Sequence, residues 1–352
     1  MVEAWFAIFW LMVAAYTILD GRNLGAAALR PFVAKDPAER RQVLDAIGPL
    51  WTWHEVWLIA AGGVLLLAFP AALAAAFAGF YLALFLVLWL LIGRGIAMEV
   101  GGHLDHALWQ SFWTFILSTS SAGLALILGV AFGNIVRGVP MDASGEFQMA
   151  LFTDFGVHGR VGLLDWYTVS VGALSLVVLL AHGGTFLTLK TAGPVRDRSR
   201  AAARKLWIAA LALGVAVLLE TRAVRQDLWS APGSTLLTAA FLAITIAGAV
   251  AIFSGLRRGR ERLTYIGSCT TIAGVLGVHA AASFPTMLHS TLAAEYSLSA
   301  FQAASPHKGA ATALGWWVVA APIAVLWAVL VGRAFGGRVG VDTPNRPQPS
   351  GE

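Results

Sequence analysis

Charged side chains set among long apolar runs are the residues of this sequence that could do chemistry. Asp20 and Arg22 interrupt the apolar segment 4–32. His54 and Glu55 stand just before the uncharged run 56–93, and Arg94 and Glu99 follow it. A charge placed in hydrocarbon costs a few kcal/mol on insertion scales, so each of these groups needs a partner, water or a task. Asp20 reads in two ways: as a partner for Arg22 or a neighbouring helix, or as a group that conducts protons or binds a ligand. Gly21 and Gly25 beside it would let a second helix approach closely, as small residues do between membrane helices. Glu55 reads as an acid at the inner interface or as a buried functional group. Arg94 and Glu99 read first as interface anchors, with Arg94 meeting headgroup phosphates.

His54, His182 and His279 also lie in or beside apolar runs and raise the question of haem. A bis-histidine haem requires two of them facing each other at similar depth. Their depths differ and no paired spacing recurs, so none is read as a ligand. The remaining histidines, His103, His158 and His289 among them, lie in or near loops and read as solvated. The single cysteine, Cys269, excludes an internal disulfide, a cysteine zinc site and a cysteine-held iron–sulfur cluster. There is no phosphate loop, dinucleotide glycine motif or nucleophile elbow. No metal site is expected.

The elements that position these groups follow from composition. Of 352 residues, 58% are apolar and 12% charged, and the mean hydropathy is +0.73. Soluble domains carry about 25% charged residues. The chain is therefore not a disordered segment, a coiled coil or an ordinary soluble globule, but an all-α polytopic membrane protein. Its runs predict nine spans, at about 4–30, 51–69, 71–93, 110–136, 166–190, 206–224, 234–256, 264–287 and 311–334. Each must be helical, because in lipid a segment has to satisfy its own backbone. Phe69-Pro70 reads as the turn between the second and third spans. Tryptophans near span ends, such as Trp51, Trp109 and Trp207, read as an interfacial belt. Residues 1–336 are expected to form a single transmembrane domain, and the Pro-rich stretch 337–352 a disordered cytoplasmic tail.

Lys and Arg crowd the loops around 30–41, 190–205, 257–262 and 333–346. The intervening loops hold Arg137, Arg160, Arg222, Arg225 and Lys308. This asymmetry predicts an external N-terminus and a cytoplasmic C-terminus in a bacterial inner membrane. The formal charge of +5, spread over such loops, points to anionic lipid rather than nucleic acid. The first span carries Glu3 and lacks a basic leader, so it is expected to be retained rather than cleaved.

Local motifs add a family. Asp20-Gly21 with Leu24-Gly25, Glu39-Arg40-Arg41, and Trp51 followed by Glu55-Val56-Trp57-Leu58 and Ala61-Gly62-Gly63 come in order. Arg94-Gly95 with Glu99 follows. Then come Gly129 to Asn134 with Gly138-Val139-Pro140, His182-Gly183 through Lys190-Thr191, and Phe284-Pro285 with Ala304-Ser305-Pro306. In order and spacing the chain resembles subunit II, the non-haem subunit, of cytochrome bd-type quinol oxidases. The resemblance implies two four-helix bundles plus one peripheral helix. It implies a part in oxidising quinol and reducing O2 to water, with no catalytic residue in this chain. The haems b and d would belong to the larger subunit I. A small single-span accessory subunit and a structural quinone occur in some members. By position Trp57 matches an aromatic residue lining an oxygen channel, and Asp20, His54, Glu55 and Glu99 are candidates for a proton path. Gly21, Gly25, Arg94, Asn134 and His182 are candidates for structural or interface roles.

The pattern is departed from in four places. Thr52 replaces an acid proposed to collect cytoplasmic protons. Asn23 replaces a second acid. Asp165-Trp166-Tyr167 replaces Asn-Pro-Phe, and Gly101 stands near where an arginine often lies. Glu55, with His54, is therefore expected to stand in for the missing acid. Two other readings stay open: a secondary transporter with Asp20 and Glu55 as coupling acids, and a haem b membrane anchor.

Overall fold

The computed structural model describes residues 1–104, 106–229 and 235–340. The chain starts in α1 (Val2–Val33) and turns into the short amphipathic α2 (Pro37–Ile47). Asp36 caps α2 by accepting the Glu39 amide at 2.8 Å, and Pro37 occupies the first helical position, where no amide is needed. A 3-10 turn, Gly48–Leu50, leads into α3 (Trp51–Ala68). Then follow α4 (Pro70–Gly79), α5 (Tyr81–Val100), α6 (Ala107–Arg137), α7 (Trp166–Lys190), α8 (Gly193–Val224), α9 (Thr235–Arg258) and α10 (Glu261–Ser283). A two-stranded antiparallel hairpin, β1 (Thr286–Leu288) and β2 (Leu298–Ser299), precedes a single turn, α11 (Ala300–Ala303), and the last helix, α12 (His307–Ala334).

Among the described residues nine helices are long and apolar enough to cross a membrane: α1, α2 continuing into α3, α5 to α10, and α12. One group of four, α1, α3, α5 and α6, packs together, and α7 to α10 form the second. α1 joins the groups through α7 and α10, and α12 lies at the edge against α3. The join depends on two glycines. A Cβ on Gly25 would fall 1.8 Å from the Leu179 carbonyl oxygen, and one on Gly183 would fall 2.2 Å from the Ala26 nitrogen. Without side chains there, α1 and α7 cross backbone to backbone.

The third span differs from expectation. It starts at Tyr81 rather than 71, because the uncharged run hides a second break at Phe80, and α4 is a separate short helix. Gly79 in that break takes the ring of Phe147, which a Cβ would strike at 1.8 Å. Phe147 belongs to the loop 138–165, whose Met141, Met149, Val161 and Leu163 are buried with it over Ala75 and Phe80. This loop is joined to the hairpin: the Val139 amide donates to His289 O at 2.8 Å, and the Thr291 amide to Val139 O at 2.9 Å. α8 is longer than the apolar run inside it, so its charged first half stands beyond the span.

Two smaller expectations also change. Trp207 is buried, donating to Thr185 Oγ1 at 2.9 Å, and is no part of a surface belt. Residues 337–340 are held at the α2 end of the bundle. The Val339 amide donates to Lys190 O at 2.8 Å, Gln42 donates to Val339 O at 2.7 Å, and Arg338 pairs with Glu261. The rest of the expected tail, 341–352, lies outside the described residues.

Candidate functional site

Asp20 on α1 is fully buried, so its charge needs a partner close by. The partner is Arg94 on α5, not Arg22. Arg94 is 1% exposed and holds Asp20 with both Nη atoms, Nη1 to Oδ2 at 2.8 Å and Nη2 to Oδ1 at 2.6 Å. This forked contact is the strongest geometry available to a guanidinium and a carboxylate. It corrects the reading of Arg94 as a headgroup anchor. α5 begins ten residues later than the apolar run suggests, and its Arg94 faces inward over the Trp51 ring at 5.9 Å.

Arg94 serves a second acid. Its Nη1 also donates to Glu55 Oε1 at 2.7 Å. Glu55 lies one turn into α3, and its side chain is 23% exposed, against 0% for Asp20. One guanidinium thus stands between a carboxylate that reaches the surface and one that does not. Tyr16, one turn along α1 from Asp20, is buried beside this pair.

The array continues toward α10. Asn23, one turn after Asp20, has its amide 3.3 Å from Asp20 Oδ1 and 2.7 Å from His54 Nδ1. The other nitrogen of His54, Nε2, lies 3.0 Å from Arg22 Nη2. Arg22 donates to the Tyr265 hydroxyl at 2.8 Å and lies over the Phe186 ring at 4.7 Å. Among the described residues no carboxylate pairs with Arg22. The whole set therefore holds two acids and two guanidiniums, joined through a neutral amide and an imidazole.

The sequence candidates divide accordingly. Asp20, His54, Glu55 and Arg94 meet in one array. Glu99 is exposed at the end of α5 and stands apart from it. Gly21 and Gly25 lie on the α1 face that α7 packs against. Trp57 packs into the apolar cluster of α1 and α3 and meets Trp53 edge to face at 6.5 Å. Asn134 belongs to the opposite end of the bundle. There it donates to Leu163 O at 2.9 Å and accepts from Arg137, which is paired with buried Asp165. Asp165 in turn caps α7 through the Tyr167 and Thr168 amides. Reading the sequence alone missed Tyr265, placed Arg22 beside Asp20 rather than His54, and gave Asn23 no partner. The available signal was charge balance: two acids set beside apolar runs call for two cations, Arg94 and Arg22.

The buried histidines sit in different surroundings. His182 uses both ring nitrogens, Nδ1 with Ser268 Oγ at 2.7 Å and Nε2 with Ile18 O at 3.0 Å. His54 uses both as well. His279 is wedged edge-on between Trp10 and Phe132, with ring centroids at 4.9 and 5.1 Å. Among the described residues no three His, Cys, Asp or Glu side chains come together as a metal site. His289, read as solvated, is instead half-buried, with Nδ1 3.3 Å from Ser297 Oγ.

The sequence profile of the family described as cytochrome bd terminal oxidase subunit II matches residues 1–335. The cytochrome bd ubiquinol oxidase subunit 2 of Bacillus subtilis is 27% identical over 304 residues, covering 86% of each chain. The cytochrome bd-I ubiquinol oxidase subunit 2 of Escherichia coli K12 is 32% identical over 201 residues, 56% of this chain and 52% of that one. The fold matches a chain in the structure of bd oxidase from Geobacillus thermodenitrificans with a TM-score of 0.74. That match has 16% identity and covers 95% of this chain and 98% of the other. With nearly its whole length matched, the chain belongs to the cytochrome bd terminal oxidase subunit II family.

Proposed function

We propose that this chain supplies protons to its oxidase through Glu55 and Asp20, with Arg94 between them. As a family member the chain is subunit II of a cytochrome bd quinol oxidase, a multi-pass complex of the bacterial inner membrane that oxidises quinol with O2. The complex contains haem and a partner subunit I. The secondary-transporter reading is unsupported. We place the haems b and d in that partner, because the ring nitrogens of His54 and His182 are already engaged. Quinol, and in some complexes a small accessory subunit, would likewise meet the partner or the lipid-facing surface. Trp57 is proposed to line an apolar path for O2. Residues 1–336 act as one membrane domain, with the Arg-rich α2 end in the cytoplasm.

The observation that carries the proton reading is the shared guanidinium. Reducing O2 to water consumes protons, and an acid inside a membrane is useful for this only if one side of it meets water. Glu55 is partly exposed, Asp20 is buried, and both touch Arg94 Nη1. Two carboxylates on one cation leave one negative charge in excess. A proton taken up on Glu55 neutralises that excess, and its passage to Asp20 leaves the total charge unchanged while returning Glu55 to its ionised form. Glu55 thereby takes the place of the acid absent at Thr52.

The test is Glu55→Gln, which keeps shape and one acceptor for Arg94 but carries no proton. Quinol-dependent oxygen uptake should fall by about a hundredfold or more, the usual range for a lost acid–base group. The reduced-minus-oxidised haem spectrum should stay unchanged. Wild-type uptake at all pH values would remove Glu55 from the path.

A further inference from the structure

The array contains a hydrogen-bonding conflict whose resolution assigns a role to Arg22. His54 has Asn23 Nδ2 2.7 Å from Nδ1 and Arg22 Nη2 3.0 Å from Nε2. A neutral imidazole has one N–H and one lone pair, and a guanidinium only donates. Nε2 therefore accepts from Arg22, and Nδ1 carries the hydrogen. Asn23 has to meet that hydrogen with its carbonyl oxygen. The two ends of an amide have the same shape and are told apart by their partners, so the amide is turned. The turn also gives Oδ1 a donor, whereas in the opposite orientation it is buried without one. It has a second consequence. The Asn23 atom facing Asp20 Oδ1 at 3.3 Å is now an oxygen. Two oxygens that far apart repel when the carboxyl is ionised and are bridged when it carries a proton.

We propose that Arg22 is a positioning residue: acting through His54, it holds the Asn23 carbonyl toward Asp20, so that Asn23 accepts a hydrogen bond from Asp20 whenever that carboxyl holds a proton. His54 orients the amide and does not itself relay the proton, because its one lone pair is committed to Arg22. The family's second acid, absent here, is replaced by an amide that stabilises the loaded form of the first. The inference rests on the Glu55–Asp20 route only for the source of that proton.

Infrared difference spectra of the purified complex between two pH values test this directly. The carboxylic acid band of Asp20 is identified by its loss in Asp20→Asn. It should shift in Asn23→Leu, Arg22→Met and His54→Leu. It should keep its wild-type position in His54→Gln, whose amide can accept from Arg22 and donate to Asn23. Oxygen uptake should fall by about threefold to tenfold in Arg22→Met, the effect of one lost hydrogen bond between neutral groups. A band that stays in place in Asn23→Leu or Arg22→Met overturns the proposal, as does a spectrum in which Asp20→Asn removes nothing. If Arg22→Met does not assemble, Asn23→Leu compared with His54→Gln decides the question. Glu55→Gln separates the two ideas: wild-type uptake there removes the route, while the Asp20 band alone decides the orientation of Asn23.

Discussion

Replacing Arg94 by Met is the most informative single perturbation of the fold. Met matches the stem of arginine and removes the guanidinium. In the native array that group makes three contacts of 2.6 to 2.8 Å with two carboxylates, one of them fully buried. Removing one member of a buried pair typically costs about 3–5 kcal/mol, because the remaining charge is left without compensation. Here two carboxylates are left, so the upper part of that range applies to Asp20, and Glu55 adds less because its side chain reaches the surface. At about 1.4 kcal/mol per factor of ten, the folded population should fall by at least two orders of magnitude.

Assembly is the readout: the fraction of tagged chain recovered with the partner subunit I, and the temperature of half-loss of the complex's haem absorbance in detergent. Arg94→Met should lower both sharply. Asp20→Asn with Arg94→Met should recover part of the loss, because it removes the buried charge that the single change strands. Residues in contact couple by about 0.5–3 kcal/mol in such cycles. Wild-type assembly in Arg94→Met, or a double variant no better than the single one, would refute the view that this ion pair holds α1 and α5 together.

Other predictions follow from separate parts of the molecule. Gly25→Val should abolish assembly, since its first carbon would lie within bonding distance of Leu179 O, whereas Gly62→Ala, which meets nothing within 4 Å, should be silent in the same recovery assay. His289 lies outside the spans, and burial, reinforced by Arg225 and opposed by Asp227, pushes its pKa below the ordinary 6.5. The folded ring thus stays neutral where an unfolded one takes a proton, so its contribution is complete above about 6.5 and shrinks as pH falls below that. His289→Gln should flatten this part of the stability–pH curve, measured by half-denaturation temperature. Asp165→Asn should loosen the opposite end by unpairing buried Arg137, at about 3–5 kcal/mol, visible as faster proteolysis of the loop 138–165.

Hydropathy made the spans legible because each has to be apolar over its whole length whatever it packs against. That constraint is local, and so is the stop at Phe69-Pro70. The break at Phe80 is not, because it exists to seat Phe147, a residue from a loop nearly 70 positions away. Arg94 failed for the same reason. Its position after an uncharged run looks like an interface, and only the inward turn of α5 against α1 makes it a partner of Asp20. His182 makes hydrogen bonds to Ser268 and Ile18, partners on two other helices that its own span does not reveal. Glu99, four residues after Gly95, shared its motif with Arg94 yet faces outward. A motif records which residues travel together, not which of them touch.

The departures from the family pattern at Asn23 and Thr52 can be weighed together with Glu55. If Glu55 were simply an added acid, Arg94 would have to neutralise two carboxylates, and the buried region would carry a negative charge. Arg22, on the other side of His54, supplies the missing cation. Its separation from Glu55 is bridged by Arg94, Asp20, Asn23 and His54 in turn. Arg22 and Glu55 should therefore behave as a compensated pair although they do not touch. Arg22→Met and Glu55→Gln should each reduce the yield of haem-loaded complex, and together they should reduce it by less than the product of the separate effects. A coupling of at least about 0.5 kcal/mol separates this from independence, since distant sites without shared partners add to within that margin. Strict additivity would mean that Arg22 serves His54 alone, and that the excess charge at Glu55 is met by water at its exposed edge.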